Sequence, residues 1–204
     1  MSKHTKVRSY TTVELIKQAK LTRGFRHIPE EKWLLFVRSN EDTPNVFDDK
    51  CYEMFGESCV GVHSCTTNPG VPSLLGGFRK YKKSGAAVVG SDQWMYNKFA
   101  YGLHNGRMPA LRLVRPIYVY RDGNLDKKID ESPEGLEHGN FNTNIHANNY
   151  DMKSKVIRWV IGGWSAGCLV FNNIPKYKRL VDYFKKLKVS GEQSTVTALI
   201  ISEF

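Results

Sequence analysis

The stretch GGWSAGCLVF at 162–171 places one thiol, Cys168, behind Ser165, Ala166 and Gly167. A cysteine becomes a nucleophile when a neighbour accepts its proton or lowers its pKa. The candidate acceptor is His146, which lies earlier in the chain, in FNTNIHA at 141–147. There Phe141, Thr143 and Ile145 alternate with Asn142, Asn144 and His146. Period two is the mark of a strand, so His146 is expected to share a face with two amides. Ala166 and Gly167 carry little bulk, which lets the amides leading into Cys168 point at a developing oxyanion. Such a thiol–imidazole pair could attack an amide carbonyl, with a histidine that titrates near neutrality. The competing reading is a small hydrophobe packed beside Leu169, Val170 and Phe171.

Other side chains could bind a substrate. His104 and Arg107 lie in LHNGR, where an arginine could hold both oxygens of a carboxylate; the alternative is an exposed turn. Asn144 could bind substrate amides or orient His146, and Trp164 is either a core aromatic or a wall of the groove. His138, next to Gly139, reads as a surface histidine. Two metal patterns are incomplete. Asp122, Asn124, Asp126 and Asp130 have the spacing of a calcium loop, but Lys127 stands where its glycine belongs. Cys59, His63 and Cys65 would share one face of a regular strand, yet no fourth zinc ligand is evident. No metal and no cofactor are expected.

These residues need a scaffold. Residues 11–24 read as a helix with Thr11 or Thr12 as N-cap and Gly24 as stop. Strands are expected at 33–39, 59–65, 141–147, 155–163, 167–171 and 194–202, and one or two over 111–122, with Pro116 marking an edge or bulge. Leu180, Val181, Phe184 and Leu187 recur at helical spacing behind Pro175. The pattern is one mostly-β domain with peripheral helices.

Bulk composition limits the partners. The 204 residues suit one domain with a real core, and 41% hydrophobic content argues against disorder. A net charge of +10 favours a polyanionic partner: nucleic acid, an anionic membrane surface or bacterial cell wall. The basic runs at 79–83, 126–128 and 176–186 are dispersed, and no nucleic-acid-binding motif accompanies them, so nucleic acid is not the expected partner. No segment has the apolar length of a signal peptide or a membrane span, so cytoplasmic synthesis without stable membrane insertion is expected. The four cysteines form no recognisable framework, and reduced thiols are the default.

NIHA followed by WSAGC resembles the active-site pattern of L,D-transpeptidase catalytic domains. TTNPG (66–70), YGLHNGRMPALR (101–112) and VYRDGNLDKKID (119–130) resemble phage-encoded members. The resemblance implies a β-sandwich, Cys168 as acyl-accepting nucleophile and His146 as its base. It also implies that the Ala147 backbone carbonyl orients the histidine and that Ser165 and Gly167 shape the oxyanion turn. It covers 138–171 sharply as the active-site core, 60–130 loosely, and leaves 1–58 without a role. The sequence departs from the pattern at Ala166, at Leu169-Val170 and in a longer His-to-Cys interval. The expectation is a single catalytic domain over 1–204, monomeric, that hydrolyses peptidoglycan stem peptides or cross-links through a thioester, as a phage endolysin would. It would reach the cell wall after release from the host cytoplasm or as a virion component. The alternatives are a cross-linking L,D-transpeptidase and a non-catalytic virion or wall-binding protein.

Overall fold

The apolar run WLLFV at 33–37 is buried on both faces, which requires packed layers on either side of its strand. The computed structural model describes residues 6–41, 43–77 and 83–204; apart from Lys83, the basic run at 79–83 lies outside the described residues. In chain order the elements are α1 (Thr12–Leu21), β1 (Lys32–Arg38), β2 (Asp49–Phe55), β3 (Ser58–Thr66), β4 (Ala86–Val89), β5 (Gln93–His104) and β6 (Met108–Leu113). There follow β7 (Ile117–Asp122), β8 (Glu137–Gly139), β9 (Asn144–Ala147), β10 (Leu169–Phe171), α2 (Ile174–Ser190) and β11 (Val196–Ser202).

Eight strands close a barrel-like sheet in the order β1-β11-β5-β6-β9-β10-β3-β2, and a separate sheet runs β4-β7-β8. The molecule is mostly β with few peripheral helices. Alternation along β1 divides the core. Leu34 and Phe36 join Met95, Leu111, Ile145, Phe171, Ala198 and Ile200 in the central cluster. Trp33, Leu35 and Val37 face the other way, into a cluster with Leu15, Ile16, Ala19 and Trp94. Residues before 58 therefore acquire a role: two barrel strands, and a helix that covers an outer face of the sheet.

Both helices carry their own punctuation. On α1 the Thr11 hydroxyl accepts from the Glu14 amide (3.3 Å), and the Glu14 carboxylate accepts from the Thr11 amide (2.7 Å). The helix ends at Leu21, three residues short of Gly24, where the Thr22 hydroxyl donates to the Gln18 carbonyl. On α2 the Asn173 side chain caps the Lys176 amide, and Gly191 ends the helix in the left-handed conformation. Its buried Ile174, Tyr177, Leu180, Val181 and Phe184 complete the central core. No helix among the described residues is long and apolar enough to cross a membrane.

The structure corrects several element boundaries. Segment 155–163 is not a strand; its ladder pairing is limited to the isolated bridge of Val160 with Val46. The reason is topological: β9 already pairs with β6 on one side and β10 on the other. Because β9 and β10 run parallel, 148–168 must serve as a crossover, which explains the long His-to-Cys interval. Only 144–147 of FNTNIHA is strand, since Asn142 takes a left-handed φ of 56°. Over 111–122 the second of the two expected possibilities holds: two strands, β6 and β7, separated at Pro116 and belonging to different sheets.

Candidate active site

Cys168 sits immediately before β10, at the end of a turn that is latched on two sides. Ser165 is buried; its hydroxyl donates to the Cys168 carbonyl (2.8 Å) and accepts from the Gly167 amide (3.2 Å). The Ser165 carbonyl accepts from the Gly70 amide (3.0 Å) and the Ser73 hydroxyl (2.9 Å), which ties the turn to TTNPG. On the other side the Ala87 amide donates to the Ala166 carbonyl (3.3 Å). Gly167 has a φ of 127°, and a Cβ there would lie 2.5 Å from the Ala87 carbonyl oxygen. Only glycine fits.

His146 is fully buried on β9, and its Nδ1 lies 2.7 Å from the Ala147 carbonyl oxygen. A carbonyl only accepts, so Nδ1 carries the proton and Nε2 keeps a free lone pair. That Nε2 has no hydrogen-bond partner. Ligand atoms of His146, Cys168 and His104 lie within 4.8 Å of one another. The Cys168 sulfur accepts from the Asn144 amide (3.4 Å), and its thiol donates to the Asn142 carbonyl (3.8 Å).

Burial sets the resting protonation. It pushes His146 down to about 3, helped by His104 and opposed by the Ala147 carbonyl. It pushes the Cys168 thiol up to about 11, opposed by the Asn144 amide. His104 is also lowered, by burial and then by the charge of Arg112. The resting pair is neutral thiol and neutral imidazole, so the expectation of a histidine titrating near neutrality does not hold. Proton transfer must wait for a substrate that stabilises the charge it creates.

His104 comes to this pair from β5, its ring stacked on that of His146. Asn144 positions it: the Asn144 Oδ1 accepts from the Leu113 amide (3.2 Å), which leaves its Nδ2 to donate to His104 Nδ1 (3.0 Å). The Asn144 side chain is thus engaged inside the site. A cavity of about 570 Å³ opens beside it, lined by Leu103, His104, Asn105, Arg112, Asn142 and Asn144 among others. Two of its lining residues, Asn142 and Asn144, also touch the Cys168 sulfur, while Cys168 and His146 themselves are not part of the lining.

The remaining expected residues lie elsewhere. Arg107 is exposed, with only its backbone amide bonded to His104, and does not line the cavity. Trp164 is half-buried against both the central core and the Phe47–Ile161–Val170 cluster, and packs on Tyr150. His138 packs on Tyr118. Cys59 and Cys65 do not share a face: a register shift in the β2–β3 pairing puts Cys59 against the outer cluster and Cys65 in the central core. In the acidic loop, Asn124 donates to both Asp126 and Asp130. Among the described residues, the grouping able to hold a metal is His104, His146 and Cys168. Arg112 and Gly70 were not singled out in the sequence. Arg112 had a readable signal, as the charged residue between Leu111 and Leu113.

No protein-family model matches the chain, and no curated protein matches it either.

Proposed function

We propose that the protein is a cysteine-dependent hydrolase of peptide bonds in peptidoglycan, acting on stem peptides or cross-links. The observation that carries this is the state of His146: one ring nitrogen is fixed by the Ala147 carbonyl, while the other is buried, unpartnered and beside the Cys168 sulfur. Buried His63 also leaves one ring nitrogen without a partner, so what marks His146 is that its free nitrogen lies beside a thiol, where a base must sit.

On this reading Nε2 takes the thiol proton as sulfur attacks the carbonyl carbon, giving a tetrahedral oxyanion and an imidazolium. The Gly167 amide is already committed to Ser165, so the oxyanion falls to the amides of Ala166 and Cys168. Collapse breaks the C–N bond, the imidazolium protonates the leaving amine, and a thioester remains. Water, deprotonated by His146, then releases the acid and regenerates the thiol. An amine in place of water would make the protein a transpeptidase. The barrel-like sheet with its three-stranded companion then stands as a form of the L,D-transpeptidase-like sandwich. The net charge of +10 supports attraction to an anionic wall, which salt should weaken.

The test is incubation with purified peptidoglycan and mass spectrometry of the products. New peptide termini are expected from wild type and none from Cys168→Ala. New cross-links instead would assign transpeptidation. No product from wild type, or full activity in Cys168→Ala, would end the proposal.

A further inference from the structure

We propose that Arg112 is a carboxylate-binding residue of the cavity beside Cys168, so that the peptide it receives carries a free carboxylate near the bond attacked. The inference rests on the peptide-hydrolase reading only for the location of that bond.

Three observations lead there. Arg112 is the cation among the cavity's lining residues, none of which is acidic, and no carboxylate among the described residues pairs with it. Its strand position puts it on the same face of the sheet as the site. Arg112 is directly opposite Asn144 in the β6–β9 pairing, and the Asn144 amide in turn touches the Cys168 sulfur. Residues opposite one another across a ladder project from the same face, so Arg112, Asn144 and Cys168 form a row across adjacent strands. Finally, the arginine has a prepared resting place. A Cβ on Gly102 would lie 2.9 Å from the Arg112 Cδ, so the absence of a side chain on β5 lets the stem lie flat across that strand. Arg112 is exposed, and its charge is near enough to His104 to add to the lowering that burial causes there.

A guanidinium without an anionic partner, on a shelf beside a nucleophile, fits a planar carboxylate through two parallel hydrogen bonds. Peptides offer that group as a chain terminus or an acidic side chain. An amide at the same place would accept one hydrogen bond but carry no charge.

The experiment uses the full chain with Cys168→Ala, so that binding is read without turnover. Two tetrapeptide stem mimics are titrated by calorimetry, one with free carboxylates and one with every carboxylate amidated. The free form should bind about 10–100-fold more tightly, as expected for hydrogen bonds to a charged group. Adding Arg112→Met should remove that difference, while Arg112→Lys should keep part of it. Far-ultraviolet circular dichroism checks that the exposed substitution leaves the fold intact. Equal affinities, discrimination that survives Arg112→Met, or no binding of either peptide at millimolar concentration would overturn the assignment. Turnover of the same peptides by wild type is scored separately. Carboxylate-dependent binding without cleavage would retire the hydrolase reading and keep the subsite; cleavage indifferent to the carboxylate would do the reverse.

Discussion

The imidazole of His104 lies flat on that of His146, with ring centroids 4.1 Å apart and 24° between the planes. The stack is anchored to backbone: the Leu113 amide holds Asn144, Asn144 holds His104, and His104 covers His146. On its other edge His146 is fixed by the Ala147 carbonyl. The Ala147 carbonyl thus fixes the His146 tautomer and the stack holds its orientation, while burial first and His104 second make the ring hard to protonate.

That cost has a pH signature. His146 titrates near 6.5 when unfolded and is pushed down to about 3 when folded, so the unfolded chain binds its proton first. Its stabilising contribution is complete above pH 6.5 and is lost as pH falls toward 3, by about 1.4 kcal/mol per unit. Melting temperatures measured between pH 4 and 7 should fall more steeply for wild type than for His146→Gln. Parallel curves would show that burial does not hold the imidazole neutral.

The thiol gives the complementary signal. With Cys168 pushed up to about 11, its alkylation by iodoacetamide should rise roughly tenfold per pH unit from 7 to 10. Peptide mapping of the labelled residue follows it separately from Cys51 and Cys65, both buried in the core. A plateau below pH 8 would mean that the resting pair is already thiolate and imidazolium.

How far the site was legible depends on how local its determinants are. The His146–Ala147 contact and the Ser165–Cys168 turn join residues close in sequence; the first is implied by the resemblance that NIHA and WSAGC carry, and the hydrogen bond of the second is visible only in the structure. The strand expected at 155–163 failed because apolar content cannot reveal that both edges of β9 are already occupied. The shared face of Cys59 and Cys65 failed because a register shift in β3 breaks period two without any change of residue type. Arg112 reaches the site only through the pairing of β6 with β9, a contact between segments far apart in the chain. The barrel closure that makes all of this possible is likewise non-local.

The turn should be sensitive at one glycine and tolerant at another. Gly167→Ala drives a Cβ into the Ala87 carbonyl at a positive φ and should cost about 2–4 kcal/mol. Gly163→Ala meets nothing within 4 Å and should change little. Denaturant unfolding of both variants checks the contrast, with equal midpoints counting against the latch between the turn and β4.

Ser165→Ala removes the hydroxyl that bridges the Cys168 carbonyl and the Gly167 amide. Because the residue is buried, both partners lose their hydrogen bond without water to replace it, costing about 1–3 kcal/mol. The freed Gly167 amide also unsettles the donors around the thiol, so kcat should fall about 10–100-fold with little change in KM. Ser165→Thr keeps the hydroxyl but adds a methyl group, and recovery of kcat in that variant would separate hydrogen bonding from bulk. An unaltered kcat in Ser165→Ala would remove the serine from any role in shaping the turn.

The three-residue cluster sets up a last test, by added metal. His104, His146 and Cys168 bring one thiol and two imidazoles within 4.8 Å, a donor set suited to a soft divalent ion with one position left for water. Binding would convert the thiol to thiolate and occupy the His146 Nε2 lone pair, removing both nucleophile and base. Micromolar Zn²⁺ should therefore abolish cleavage, and a chelator should restore it. Because ligation displaces the thiol proton, inhibition should be stronger at pH 8 than at pH 6. His104→Ala should weaken inhibition at least tenfold, since it removes one ligand of three. Should zinc inhibit His104→Ala as strongly as wild type, the metal would be binding Cys168 and His146 without His104, and the stack would serve only to orient the base.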